Sequence, residues 1–231
     1  MTMKNQDQAK TGDLIGAVVS KNDAMQDTTE FHGQFDVTCT APVEEHRAEY
    51  VWLRDTIAHL SSNWLTKAFH WREIKDCAAK LAAIPTYEKW SDSFTNLITT
   101  AGKNNMLDNQ FAGSAYTATW YMGLIDNASF TAVAAGDTMA SHAGWLESVA
   151  YSQSTRVTAA WSAASAGVKA LSAALTFSIN ATVTLNGGFL NSISTKSGTT
   201  GVLSNAGSFT GGTRACINGD TVNVSYSATL T

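Results

Sequence analysis

The chain has 231 residues, 44% of them hydrophobic, and a formal net charge of -4. That length can bury a full core in one large domain or two small ones, and an acidic balance without a basic stripe argues against a nucleic-acid binder. The opening residues are too polar for a signal peptide and no apolar run approaches a membrane span, so the expectation is a protein made in a cytoplasm that stays soluble unless built into something larger.

Residues 1–30 read as an extended N-terminal arm. Apolar residues are sparse there apart from Leu14, Ile15 and Ala17-Val18-Val19, so Leu14, Ile15, Val18 and Val19 are the candidate anchors on a partner. From Phe31 the pattern changes. Phe35, Val37 and Cys39 alternate with Gln34, Asp36 and Thr38, the period of a half-buried strand. Pro42 then opens a segment, 43–84, in which Tyr50, Leu53, Ile57, Leu60 and Trp64 recur at spacings of three and four, one face of an amphipathic helix. Glu44, Glu45 and Glu49 suit the positive end of the helix dipole, Lys75 and Lys80 the negative end, and Pro85 marks a stop. Ser61-Ser62-Asn63 either splits this segment into a helical hairpin or is passed through as one helix.

Beyond Pro85, Trp90, Phe94 and Leu97 return to strand or turn character, and a helical turn through Met106-Leu107 is possible. Trp120 to Ile125 reads as a strand covered on both faces. The clearest alternation runs over Leu175, Phe177, Ile179, Ala181, Val183 and Leu185, with Asn186-Gly187-Gly188 supplying a turn and Phe189-Leu190 beginning the return. Val222, Val224, Tyr226, Ala228 and Leu230 form the closing strand. The expected fold is mainly β: a β-sandwich or jelly roll from residues 31–42 and 85–231, with a helical insertion at 43–84 and the arm at 1–30.

From Gly113 onward the only charged side chains are Asp126, Asp137, Glu147, Arg156, Lys169, Lys196, Arg214 and Asp220. The tripeptide Gly-Asp-Thr occurs at 136–138 and again at 219–221, turn chemistry in both places.

Candidate chemistry is thin. Asp137, Ser141 and His142 place an acid, a hydroxyl and an imidazole close together, but no G-x-S-x-G elbow surrounds Ser141 and His142 is expected to bond backbone groups. The histidines of the helical segment, His46, His59 and His70, lack the three-or-four spacing of a shared helix face. Cys39, Cys77 and Cys216 lie far apart and read as reduced, buried thiols. No phosphate-binding glycine loop occurs. The expectation is therefore no catalytic residue, no metal site and no cofactor. Seven tryptophans fill a core and an oligomer interface, or stack on sugar rings. Trp52, Trp64 and Trp71 are the candidate partner contacts among them.

The stretch Trp120 to Asp126, followed by Ala134-Ala135-Gly136-Asp137-Thr138-Met139-Ala140-Ser141-His142-Ala143-Gly144-Trp145, resembles a group of small tailed-bacteriophage virion proteins. The closing Gly219 to Tyr226 resembles the last strand of that group, as does the pairing of Phe35-Asp36-Val37-Thr38-Cys39 with Lys89-Trp90 and Asn96 to Gly102. In the group a short acidic turn joins those two strands; here residues 43–84 stand in that place. The resemblance implies a virion structural role, head decoration (cement) first and a connector or tail component second. Its partners would be the major capsid protein or other virion proteins, as a homo-oligomer, with no nucleic acid and no membrane. The rival from another class is a virion-displayed receptor- or glycan-binding module, which a patch of exposed aromatics would favour.

Overall fold

The computed structural model describes residues 31–112 and 119–230. The arm at 1–30, with Leu14, Ile15, Val18 and Val19, lies outside the described residues. Strand accounts for 41% of the structure and helix for 24%, so the chain is mainly β, built on two antiparallel sheets with a few helices.

The first sheet contains β1 (Phe31–Pro42), β2 (Thr86–Thr95), β7 (Val168–Ala170), β8 (Leu175–Ser178) and β12 (Thr221–Leu230). Its order is β2-β1-β12-β7, with β8 also paired to β12. The expected alternation holds in both long strands. Phe35, Val37 and Cys39 of β1 are buried between exposed or half-buried neighbours, as are Val222, Val224, Tyr226 and Ala228 of β12; Ala41 is buried next to buried Pro42. A period of two places these side chains on one face. There Phe35 stacks on Phe94 at 4.9 Å and meets Tyr226 at 4.7 Å.

The second sheet contains β3 (Leu97–Ile98), β4 (Trp120–Asp126), β5 (Leu146–Ser148), β6 (Val157–Ala159), β9 (Val183–Asn191), β10 (Leu203–Ser208) and β11 (Arg214–Cys216). Its order is β3-β10-β9-β4-β5, with β11 on β9 and β6 on β4. Ile125, Met139, Trp145, Phe189, Leu203 and Ala206 form the core against it.

Two expectations fail at the start of β9, for one physical reason. The alternation from Leu175 to Leu185 is not a single strand: β8 ends at Ser178, and β9 begins at Val183 in the other sheet. Leu175, Phe177, Ile179, Val183 and Leu185 are all buried, while Ala181 is exposed where the chain changes sheets. Both halves keep the same hydrophobic period because each sheet buries one face. Nor do Asn186-Gly187-Gly188 make a turn; they lie inside β9. A Cβ on Gly187 would stand 2.0 Å from the Gly207 carbonyl oxygen on β10, so this glycine permits close strand approach rather than chain reversal.

The segment between β1 and β2 is helical. A short 3-10 turn (Glu44–His46) leads into α1 (Arg47–Leu60), α2 (Trp64–Phe69) and α3 (Trp71–Ala83). The chain breaks at Ser61–Asn63 because the Asn63 side chain accepts from the Thr66 amide and caps a new helix. That settles the alternative in favour of a hairpin. Leu53, Cys77 and Ile84, flanked by Tyr50, Ile57 and Leu81, form its own small core. Strands β1 and β2 pair up to Pro42 opposite Thr86, so the helices sit at the tip of a β-hairpin. Downstream, the turn expected near Met106 is part of a longer helix, α4 (Thr100–Leu107), capped by Thr99 and continued by a π-turn over Asp108–Ala112.

Candidate functional site

The helical hairpin exposes more large apolar side chain than its own core can hold. α2 has no buried residue. Trp64 is 76% exposed and Phe69 82%, with Trp71 at 54% and Leu65 at 49%, all within eight residues of chain. Trp52, on α1, is 61% exposed. Scattered surface hydrophobics are ordinary; three exposed aromatics in one short stretch stand out against that background. Local polar contacts keep the stretch ordered: Asn63 caps α2, His70 Nδ1 lies 3.0 Å from Glu73 Oε2, and the Arg72 guanidinium lies 5.3 Å from the Trp71 ring centre. Trp64 and Trp71, singled out from sequence, thus flank one exposed stretch, and Trp52 is exposed elsewhere on the hairpin. Phe69 was missed. It lies off the three-four apolar pattern of Tyr50, Leu53, Ile57, Leu60 and Trp64, which was the signal the sequence reading followed.

The tryptophans divide by location. Trp145 is buried in the β core, and Trp90, Trp120 and Trp161 are half-buried. Of the expectation that the tryptophans fill a core and an oligomer interface, the core part holds for Trp145 and does not extend to Trp52, Trp64 and Trp71.

At the base of the hairpin sits a buried carboxylate. Asp220 has no solvent exposure. Its Oδ1 accepts from Arg47 Nη1 of α1 at 2.8 Å, and its Oδ2 accepts from Lys89 Nζ of β2 at 2.6 Å and from the Ile217 amide at 3.0 Å. Two local irregularities build this arrangement. Cys39 pairs with Trp90 but Thr40 pairs with Glu88, which leaves Lys89 as the extra residue of a β-bulge. Bulges re-aim side chains. On the other side, Gly219 at φ 96° closes the turn that presents Asp220, a conformation glycine adopts without strain. Burial works against the Lys89 ammonium, but the bonded Asp220 carboxylate outweighs it, and the Lys89 pKa stands above its ordinary value. Arg47 shifts the same way for the same reasons, with Glu44 adding to Asp220. Arg54 adds a second tether, donating to the Ile179 carbonyl at 2.8 Å and to Asn218 Oδ1 at 3.0 Å.

Against this carboxylate lie two thiols. Cys39 Sγ, Cys216 Sγ and an Asp220 oxygen all fall within 4.8 Å of one another, and all three residues are buried. The sequence expectation of buried thiols holds for Cys39, Cys77 and Cys216. The meeting of Cys39 with Cys216 was not legible, because nothing in their spacing announces it.

The Asp137–His142 stretch is held part by part. Asp137 Oδ2 accepts from Trp145 Nε1 at 2.9 Å and from the Ala134 amide at 2.9 Å. His142 Nδ1 lies 2.9 Å from the Trp145 carbonyl, which can only accept, so Nδ1 carries the proton; the ring stacks on Trp145 at 4.0 Å. The Ser141 amide donates to Thr138. His142 also lines a cleft of about 270 Å³ with Glu147 and Ser197–Thr199. There both Glu147 oxygens are bonded by Arg156, at 2.9 and 2.7 Å. Asp137 and Asp220 share one local device: each accepts from the amide three residues back and returns its own amide to that residue's carbonyl. The two Gly-Asp-Thr tripeptides thus share this aspartate device, with a donor eight residues on for Asp137 and donors more than a hundred residues away for Asp220.

A scan against protein-family models gives no match, and no curated protein matches the chain.

Proposed function

We propose that this chain is a structural assembly protein of a tailed-bacteriophage virion, a head-decoration protein that binds the outside of the shell and holds neighbouring subunits together. The two sheets are the leaves of a β-sandwich of jelly-roll kind; Phe35 of the first would lie 3.7 Å from a Cβ on Gly188 of the second, a separation suited to a shared core. The observation that carries the reading is the exposed stretch Trp64–Trp71 at the end of a pinned helical hairpin. Buried aromatic anchors supply most of the energy in protein interfaces, and a hairpin held at its base by Arg47 and Arg54 presents them with little ordering cost.

The same aromatics favour a second reading, a receptor- or glycan-binding module, because tryptophan faces stack on sugar rings. One experiment separates the two. The full chain and a Trp64→Ala/Phe69→Ala/Trp71→Ala variant are titrated against isolated head shells and against a glycan array. The decoration reading expects shell binding that weakens at least tenfold in the variant, the effect of losing about 1.4 kcal/mol or more of anchor energy. Array binding lost in the variant, with no affinity for shells, establishes the rival instead.

A further inference from the structure

The pairing of Cys39 with Cys216 has a chemical consequence independent of what the protein binds. Cys39 lies on β1 in the first sheet and Cys216 on β11 in the second. A metal ion is the other species that two thiols and a carboxylate can hold. The geometry argues against it: the Asp220 oxygens are already bonded by Arg47 at 2.8 Å and Lys89 at 2.6 Å, and two fixed cations oppose a third. What remains at contact range is a pair of thiols facing each other across the two sheets.

We propose that Cys39 and Cys216 form an inter-sheet disulfide when the protein meets a low-molecular-weight disulfide. The reaction is two thiol–disulfide exchanges. One cysteine thiolate attacks a sulfur of RSSR, forming a mixed disulfide and releasing one RS⁻, which takes up a proton. The other then attacks the protein sulfur of that mixed disulfide and releases the second RSH. The two cysteines lose two electrons and two protons, and one RSSR becomes two RSH. Cys216 is the first attacker. It sits on a three-residue strand paired only to β9, the kind of element that opens locally, whereas Cys39 lies inside twelve-residue β1 between β2 and β12. When β11 returns, Cys39 completes the bond. In the closed protein the reaction is slow. Its hydrogen bond with Cys216, and then burial, hold the Cys39 thiol well above its ordinary pKa.

The test uses the full wild-type chain. One sample is unfolded in urea and refolded with oxidised and reduced glutathione; a second is refolded under dithiothreitol. The glutathione sample should show one free thiol in place of three, the survivor mapping to Cys77, and an intact mass lower by about 2 Da with no glutathione adduct. Its melting temperature should exceed that of the reduced sample by roughly 5–15 °C, a shift that dithiothreitol reverses. Three free thiols after refolding, or a linkage that includes Cys77, overturns the proposal. So does stoichiometric zinc that blocks both thiols in the reduced protein and loses its hold in Asp220→Asn, because the site is then a metal site.

Discussion

At the scale of single residues, the scarcity of charge after Gly113 is the most informative feature. Asp126, Asp137, Glu147, Arg156, Lys196, Arg214 and Asp220 each hold a named partner, mostly at buried or half-buried positions. In a surface of Ser, Thr and Gly, these few ions are fasteners, and Asp220 is the most deeply placed. Asp220→Asn removes the counter-charge of Arg47 and Lys89 together. It should cost about 2–4 kcal/mol, below the usual figure for a broken buried pair because both cations retain some contact with water. Urea unfolding measures this, and a loss under about 1 kcal/mol would show the pairs to be energetically idle. The raised Lys89 value also fixes the direction of a pH effect. A cation whose folded pKa exceeds its unfolded one contributes fully below about pH 10 and loses that contribution as pH climbs through the folded value. Tyr151 and Tyr226, raised by burial, titrate in the same sense. Urea midpoints should therefore fall above about pH 10, and less steeply in Lys89→Met. A flat profile would contradict the ion-pair account. The Gly-Asp-Thr at 219–221 was legible in the sequence only as a turn, not as a site for Asp220. Nor were the partners of Asp220: the helix that carries Arg47 was legible, but its docking at Asp220 is a tertiary contact, and the bulge that aims Lys89 is encoded by no local pattern.

Among the elements, those whose period was set by one buried face were legible: β1, β12 and α1 lie where alternation or three-four spacing put them. What the sequence hid was the change of sheet between β8 and β9, since a hydrophobic period of two is the same on either side of a core. The glycines of β9 misled for a related reason: a residue without a Cβ serves a turn and a close strand contact equally well. Gly187→Ala should drive a methyl group against the Gly207 carbonyl and cost about 1–3 kcal/mol, whereas Gly136→Ala, which meets open space, should stay within about 0.5 kcal/mol. Equal losses at the two sites would mean the strands are less tightly apposed than described. The helical hairpin can be tested by exchange. Replacing 43–84 with a short Gly-Asn turn preserves the register of Pro42 opposite Thr86 but deletes the bonds from Arg47 and Arg54. A single cooperative melt at lower temperature is expected; a broad, non-cooperative transition would show that the hairpin is integral to the β core.

For the whole molecule, the sequence carried the fold class more clearly than the surface it uses. Exposure depends on which face of a helix is left uncovered, and that is set by tertiary packing that spacing alone does not encode. On the decoration reading, contact with the shell is shared between the hairpin and residues 1–30, where Leu14, Ile15, Val18 and Val19 were the sequence candidates. Deleting residues 1–30 should weaken shell binding while leaving the melting temperature of the free protein unchanged. Sedimentation with shells and calorimetry read the two effects separately. Undiminished binding by the truncated protein would assign the contact to the hairpin alone.

The order of strands in the first sheet also governs when the fold can be completed. β12 lies beside β1, yet follows every other described element along the chain. A ribosome therefore delivers the helical hairpin early, as a short-range unit with its own small core, and leaves one edge of β1 unpaired until β12 emerges. Until then Arg47 and Lys89 have no Asp220, and Phe35 has no Tyr226. The partly made protein is thus a nascent chain with an open sheet edge, most prone to self-association just before β12 arrives.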